Sequence, residues 1–202
     1  MAVKIRTRLA GSNNFMGRPI HGYEAGHCIL SRPAAEALAA VSRELETQGL
    51  ELKVFDCFRP QQAVDDFVAW GKDLGDQKQK ASYYPNVPKE ELFQRGYIAA
   101  KSGHSRGSTM DLTVVVIKPG SASVIQGPPL PNGEVDMGSP FDLFDERSHT
   151  DYPGLPATAH QNRLWFRALM DRHGFQNLPE EWWHYTLRGE PWPQQYFDFP
   201  VR

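Results

Sequence analysis

An acidic side chain inside an apolar segment is the first feature of this sequence that points to chemistry. Asp111 lies within residues 110–117, which read MDLTVVVI and are rich in β-branched and apolar side chains. A buried carboxylate costs free energy unless it is paired with a cation or binds a metal. His104 precedes this segment, and Gly107 would let the chain turn back so that the two side chains meet. A metal site explains the pattern, and so does a salt-bridged aspartate with an unrelated exposed histidine.

A second candidate pair lies near the C-terminus, where Glu181 and His184 are three residues apart. On a helical turn the two side chains would project to the same side, and on an extended turn they can still converge. An imidazole that holds zinc, beside a carboxylate that takes a proton from the metal's water, is the arrangement that zinc hydrolysis requires. Glu-x-x-His is a weak signal by itself, and an amphipathic aromatic segment packed on the core is the alternative.

Arg59 is the third candidate, at the end of a predicted strand that also contains Asp56. A fixed arginine at a strand end can face a pocket and stabilise an oxyanion. A surface arginine in a salt bridge is the alternative, and the residue alone does not decide between the two.

The elements that position these residues follow from hydrophobic periodicity. Leu38, Val41 and Leu45 fall on one face of a helix that begins at Pro33. Helices are predicted over residues 33–48, 60–73, 88–95 and 157–173, and strands over residues 52–58 and 109–117. Residues 1–31 are predicted to be an irregular lead-in.

The fold class follows from the order of these elements. Strands and helices that do not alternate regularly predict an α+β fold, a small antiparallel sheet with flanking helices around the candidate metal site. The length of 202 residues favours a single domain over residues 1–202. Residues 118–156 are rich in glycine and proline and are predicted to be a long loop, which in a compact domain is usually functional.

Composition and charge limit the partners. The net charge of -2 and the absence of like-charge runs give no sign of a nucleic-acid partner. The apolar segment at residues 110–117 is far too short to cross a membrane, and the basic N-terminus lacks the apolar stretch of a secretory signal. We therefore expect a cytoplasmic protein with no membrane partner. Cys28 and Cys57 could pair, but in a chain without such a signal they are expected to be free and reduced.

Taken together, the motifs resemble a known family. Ser-x-His-x-x-Gly-x-x-x-Asp at residues 102–111 and Glu-x-Trp-His-Tyr at residues 181–185 are similar to the D-alanyl-D-alanine dipeptidase family, the VanX-type branch of the zinc D,D-peptidases. Further matching stretches are NF-x-G at 14–17, GYE at 22–24, DCFRP at 56–60, SYYPN at 82–86, MGS-x-FD at 137–142, DERSH at 145–149 and YFDFP at 196–200. The resemblance runs from about residue 13 to the C-terminus.

The resemblance implies an enzyme that hydrolyses the dipeptide D-alanyl-D-alanine to free D-alanine with one Zn²⁺ per chain. The zinc ligands that it implies are His104, Asp111 and His184, with Glu181 as general base and Arg59 as the group that stabilises the transition state. It also implies that Tyr23, Ser102 and Asp142 contact the dipeptide, with Asp142 near its ammonium group. His149 is expected to hold the loop that carries Asp142.

Two features depart from the family pattern, and two other functions share part of it. A tyrosine that is usual in the family falls at Leu9, and the loop between Asp111 and Met137 is longer than in the resistance-type enzymes. A D,D-carboxypeptidase or a peptidoglycan endopeptidase has the same zinc core, but acts on longer peptides outside the cytoplasm. A zinc-binding module without catalysis is a further alternative, against which the presence of Glu181 argues.

Overall fold

The computed structural model describes residues 4–5, 7–118, 120 and 123–202. Its strands are β1 (Lys4–Ile5), β2 (Leu50–Asp56), β3 (Thr109–Val116), β4 (Phe175–Leu178) and β5 (Glu181–Leu187). Its helices are α1 (Arg32–Glu46), α2 (Gln61–Lys72), α3 (Lys80–Tyr83) and α4 (Ala157–Arg172). Short 3₁₀ turns lie at Lys89–Glu91, Gly103–Arg106 and Glu146–Ser148.

The strands form one sheet in the order β1-β2-β3-β5-β4. Strands β2, β3, β5 and β4 pair antiparallel, and the two-residue β1 adds a parallel pairing to β2. Strand β3 lies at the centre and is buried along almost its whole length, because it has a neighbour on each edge and packs on both faces. The predicted α+β fold with a small antiparallel sheet and flanking helices is confirmed.

Two hydrophobic clusters support the sheet. In the first, the predicted apolar face of α1 packs with β2, β3 and α4, and Val41 and Leu45 are fully buried there. The second surrounds α2 and is largely aromatic, with Phe15, Phe67 and Trp70 among its members. Strand β2 ends where the two clusters meet, since Cys57 belongs to the first and Phe58 to the second.

The helix predicted over residues 88–95 is reduced to the 3₁₀ turn Lys89–Glu91. The chain turns back at Gly96, which has a φ of 80°, and the backbone amides of Tyr97 and Ile98 donate to the carbonyl of Leu92. A segment this short gains little from helical bonds alone, so these competing contacts decide its shape.

The expectation of free, reduced cysteines is wrong, because the structure pairs Cys28 with Cys57 in a disulfide. The backbone amide of Phe58 donates to the carbonyl of Ile29 at 3.0 Å, which holds the lead-in against the end of β2. This contact brings the two cysteine Cα atoms to 5.1 Å although the residues are 29 apart in sequence. Spatial proximity, rather than sequence context, therefore determines the pairing.

The described part of residues 118–156 is mostly irregular. It contains the turn Glu146–Ser148 and an isolated bridge between Glu134 and Val115 on β3. Among the residues that the structure describes, no helix has both the length and the apolar character to cross a membrane.

Candidate metal centre

His104 is fixed in orientation by the turn that carries it. The side chain of Ser102 caps the turn Gly103–Arg106 by accepting from the backbone amide of His104, and Gly107 ends it in the left-handed region with a φ of 81°. The Nδ1–H of His104 donates to the carbonyl of Cys57 at 2.7 Å. Since a carbonyl can only accept, this bond sets the tautomer and leaves the Nε2 lone pair free for a metal.

The sheet brings the other two predicted ligands together, because Asp111 and His184 are direct partners across the β3/β5 ladder. Directly opposed side chains share one face of a sheet at about 5 Å between Cβ atoms. The Oδ1 of Asp111 lies 3.1 Å from Nδ1 of His184 and 3.3 Å from Nε2 of His104. The two imidazole nitrogens are 3.4 Å apart.

These separations fit a tetrahedral metal ion. Ligand atoms at about 2.0–2.1 Å from zinc and at tetrahedral angles lie roughly 3.3 Å from one another. The Oδ1 of Asp111 is also buried without a hydrogen-bond partner, which is costly unless a cation binds there. Two imidazoles and one carboxylate suit Zn²⁺ and leave a fourth position open, as in catalytic rather than structural sites.

The electrostatics of the cluster favour a cation. Burial by itself raises the pKa of Asp111, but His104 and His184 outweigh burial and hold that pKa well below its usual range. Burial by itself lowers the pKa of His184, but hydrogen bonds to Asp111 and Glu181 outweigh it and raise the pKa to about 9. The site therefore attracts positive charge, and a proton and a metal ion compete for it.

Glu181 lies beside the ligand cluster, with its Oε2 3.2 Å from Nδ1 of His184. Both residues lie on strand β5, and residues three apart on a regular strand point to opposite faces. Here the strand is irregular, and the consecutive residues Trp182 and Trp183 are both buried. The irregularity turns Glu181 and His184 toward the same cavity.

Arg59 lies against the metal ligands within a buried hydrogen-bonded chain. Its guanidinium donates to Asp56 at 3.0 Å and lies 3.7 Å from Oδ2 of Asp111. Burial lowers the pKa of Arg59, but the carboxylates of Asp56, Asp111 and Asp142, together with Tyr23, raise it above its ordinary value, so the group stays charged. Tyr23 donates to Asp56 at 2.7 Å from behind and does not line the cavity.

Asp142 is the one non-glycine residue with positive φ in the part of the chain that the structure describes, at 66°. Backbone strain of this kind costs about 1–3 kcal/mol and is often found at functional sites. Burial is the main reason that the pKa of Asp142 rises to about 8, and Asp111 and Glu181 raise it further. A cation placed in the cavity would favour the ionised form of Asp142.

Arg163 on α4 holds the loop that carries Asp142. Its buried guanidinium donates to the carbonyls of Met137, Arg147 and His149 and to the side chain of Ser139. His149, expected to hold this loop, contributes to it through its backbone carbonyl. The loop is therefore anchored by a helix residue that sequence reasoning missed.

A cavity of about 670 Å³ opens onto these residues. All the predicted site residues except Tyr23 line it, namely Arg59, Ser102, His104, Asp111, Asp142, Glu181 and His184. Aromatic side chains of Phe15, Phe67, Tyr97 and Phe144 and the polar side chain of Asn177 also line it and were not singled out in the sequence. The aromatic rings lie at irregular spacings along the chain, so no periodicity marked them.

Comparisons with known proteins agree with this geometry. The peptidase M15 family model, described as D-ala-D-ala dipeptidase, matches residues 1–202. A D-alanyl-D-alanine dipeptidase of Enterococcus faecium is 40% identical over 200 residues, covering 99% of this chain and 93% of that protein. One from Streptomyces coelicolor is 40% identical over 189 residues, covering 94% and 88%. One from Escherichia coli is 30% identical over 185 residues, covering 92% and 79%.

Proposed function

The chain belongs to the peptidase M15 family of D-Ala-D-Ala dipeptidases, and from this premise we propose that it hydrolyses D-alanyl-D-alanine to free D-alanine with one zinc ion held by His104, Asp111 and His184. The observation that carries the metal assignment is the set of ligand-atom separations, 3.1, 3.3 and 3.4 Å. These match the edges of a tetrahedron around zinc, about 3.3 Å.

Glu181 is the general base in this proposal. Zinc, when bound, supplies a Lewis acid that polarises the scissile carbonyl and lowers the pKa of water. Glu181 lies within 3.2 Å of the ligand atom of His184, so its carboxylate can take the proton of the attacking water. The same carboxyl group then delivers that proton to the amine of the leaving D-alanine.

Arg59 stabilises the charge that develops on the carbonyl oxygen. Its guanidinium is held by Asp56 and reaches to 3.7 Å from the metal ligand Asp111, so it is fixed before the substrate arrives. A donor that needs no rearrangement contributes most to a transition state in which negative charge builds up. Tyr23 acts behind it, through its hydrogen bond to Asp56.

Asp142 and Ser102 are the proposed substrate contacts. The carboxylate of Asp142 lies in the cavity and would pair with the free ammonium group of the dipeptide in a charge-assisted hydrogen bond. A longer or acylated peptide has a neutral amide in that place and would leave the carboxylate desolvated, a penalty of about 1–3 kcal/mol. This selection for a free amino terminus distinguishes a dipeptidase from a D,D-carboxypeptidase.

The test compares four substrates with zinc-loaded protein: D-Ala-D-Ala, L-Ala-L-Ala, N-acetyl-D-Ala-D-Ala and a pentapeptide that ends in D-Ala-D-Ala. We expect turnover of the first that is abolished by a chelator and restored by zinc. We also expect kcat/KM for the N-acetylated dipeptide to be about 10-fold lower or more, as the penalty above implies.

The control for ammonium recognition is a pair of loop variants. Asp142→Asn should narrow the gap between free and acetylated dipeptide, whereas Asp151→Asn should preserve it because Asp151 is exposed and pairs with Arg167. Equal kcat/KM for the two dipeptides in the wild-type protein would favour the carboxypeptidase alternative. Zinc binding without any turnover would favour the zinc-binding module.

A further inference from the structure

Strand β5 does not pair regularly with β4. Asn177 lies opposite Tyr185, but its neighbour Leu178 lies opposite Glu181. The three residues 182–184 on β5 therefore have no partner residue on β4. A bulge of this kind redirects side chains, and bulges are frequent beside active sites.

The side chain of Asn177 fills the gap that the bulge leaves in the ladder. Its Nδ2 donates to the carbonyl of Glu181 at 2.9 Å and to the carbonyl of His184 at 3.0 Å. Its Oδ1 accepts from the hydroxyl of Thr150 at 2.6 Å. Since the two carbonyls can only accept, the amide group must face them with its two N–H donors, and the orientation of the carboxamide is settled.

These two carbonyls belong to the two residues on β5 that the site uses. On a strand paired regularly from Leu178 onward, Asn177 would lie opposite Trp182, and Glu181 and His184 would point to opposite faces. The Asn177 amide bridges the two ends of the bulge, so it holds both residues in the conformation in which their side chains are 3.2 Å apart.

We propose that Asn177 is a positioning residue that holds the metal ligand His184 and the base Glu181 in register through their backbone carbonyls. This rests on the proposed zinc site and its base. Removing the carboxamide leaves two carbonyls without donors and frees the strand to relax toward regular pairing. Such relaxation moves a metal ligand and the base together, so both metal affinity and turnover should fall.

The experiment measures Zn²⁺ affinity by competition with a chelating dye, and kcat and KM for D-Ala-D-Ala, in Asn177→Ala and in the similarly shaped Asn177→Leu. Partners that orient metal ligands typically contribute 10–100-fold in affinity or activity. We expect Zn²⁺ to bind about 10-fold more weakly or worse, and kcat to fall at saturating zinc with KM little changed. Co²⁺ in place of Zn²⁺ adds an absorption spectrum that reports ligand geometry in the same variants.

Asn162→Ala is the matched control. Asn162 on α4 makes the same set of bonds, with Nδ2 donating to the carbonyls of Gln126 and Asp136 at 3.0 and 2.9 Å and Oδ1 accepting from the amide of Gln126 at 2.7 Å. Its contacts lie outside β5. The control should lose thermal stability and keep the Zn²⁺ affinity, the Co²⁺ spectrum and kcat of the wild type.

Two results would overturn the proposal. Asn177 variants with wild-type Zn²⁺ affinity and kcat would show that the bulge holds without the amide. Equal losses in the Asn162 control, or failure of both Asn177 variants to fold, would assign the amide a general structural role. If wild-type protein binds zinc but does not hydrolyse D-Ala-D-Ala, the proposed function fails while the effect of Asn177 on metal affinity can still be measured.

Discussion

Four carboxylates gather around two imidazoles and one guanidinium in the candidate site. Asp56 and Asp111 flank Arg59, and Asp142 and Glu181 face the same cavity. Apart from the imidazoles, the carboxylates outnumber the cation, and in a site of low dielectric such an excess of negative charge is costly. A divalent cation and a substrate ammonium group both offset it, so the charge of the site matches the proposed substrate.

The first prediction separates ligand from base. His184→Ala should lose bound zinc together with activity, because one of three protein ligands is removed. Glu181→Ala should keep zinc and lose turnover by about 10²-fold or more, since the base acts on water. Zinc content by atomic absorption, with kcat on the same samples, checks both. Parallel loss of zinc and activity in Glu181→Ala would make Glu181 a ligand or a structural acid instead.

The second prediction concerns proton competition at the metal site. In the metal-free protein the pKa of His184 is about 9, so its imidazole carries a proton at pH 7 that zinc must displace. The apparent zinc affinity should therefore rise with pH up to about 9 and level off above it. Titration calorimetry in buffers of different ionisation enthalpy counts the released protons. A zinc affinity that does not change between about pH 6 and pH 9 would contradict the assignment.

The third prediction concerns Arg59. Arg59→Lys keeps the charge but loses the planar fork that Asp56 holds. We expect kcat to fall about 10-fold or more and KM to change less, because the interaction strengthens as the oxyanion forms. Arg106→Lys is the control, since Arg106 lies on the cavity wall and pairs with Glu190. An effect on KM alone would move Arg59 to substrate binding.

At the scale of elements, three pieces of chain place the chemistry. The β3/β5 ladder sets Asp111 opposite His184, and the turn that ends at Gly107 brings His104 to them. The long loop supplies Asp142, and its position depends on α4 through Arg163. The metal ligands are thus carried by the sheet and its adjoining turn, whereas the substrate contact is carried by a loop with a separate anchor.

The fourth prediction tests this division. Arg163→Met removes donors to three carbonyls and one hydroxyl, which should lower the free energy of unfolding by about 3 kcal/mol or more. KM for the dipeptide should rise while zinc content stays at one per chain. Denaturant unfolding, zinc analysis and kinetics on the same variant measure the three effects.

Arg167→Met on the same helix is the control for Arg163, because Arg167 pairs with the exposed Asp151 at the surface. It should change stability by less than about 1 kcal/mol. Loss of zinc in Arg163→Met without a rise in KM would show that the loop and the metal ligands are not held separately.

At the scale of the whole molecule, the site lies where two hydrophobic clusters meet. Strand β2 passes from one cluster to the other at Cys57 and Phe58, and the carbonyl of Cys57 orients His104. The disulfide to Cys28 ties the lead-in to this point. The covalent link and the metal ligand therefore share one short stretch of backbone.

The fifth prediction concerns that disulfide. A link that closes a segment of 29 residues should stabilise the fold by about 3–4 kcal/mol through the unfolded chain. The double variant Cys28→Ala, Cys57→Ala should lose about that much in denaturant unfolding, as should wild-type protein treated with a dithiol. Thiol titration of unfolded, unreduced protein should find no free thiol. Two titratable thiols there would contradict the pairing.

The sequence by itself determined most helices and strands, the α+β class and the residue types of the site. Helix α1 and strand β3 could be predicted because local periodicity and β-branched content act over a few residues. His104, Asp111, Glu181 and His184 could be chosen because their types and spacing suit zinc hydrolysis, and family motifs supported the choice.

Tertiary structure alone decided how these residues are held. The pairing of Cys28 with Cys57, the anchoring of the Asp142 loop by Arg163, and the Asn177 amide under β5 each depend on parts of the chain that packing brings together. Hydrophobic periodicity does not record such contacts, since a hydrogen bond between distant residues leaves no repeat in either segment. The convergence of Glu181 and His184 on an extended strand likewise required a bulge, which only pairing with β4 reveals.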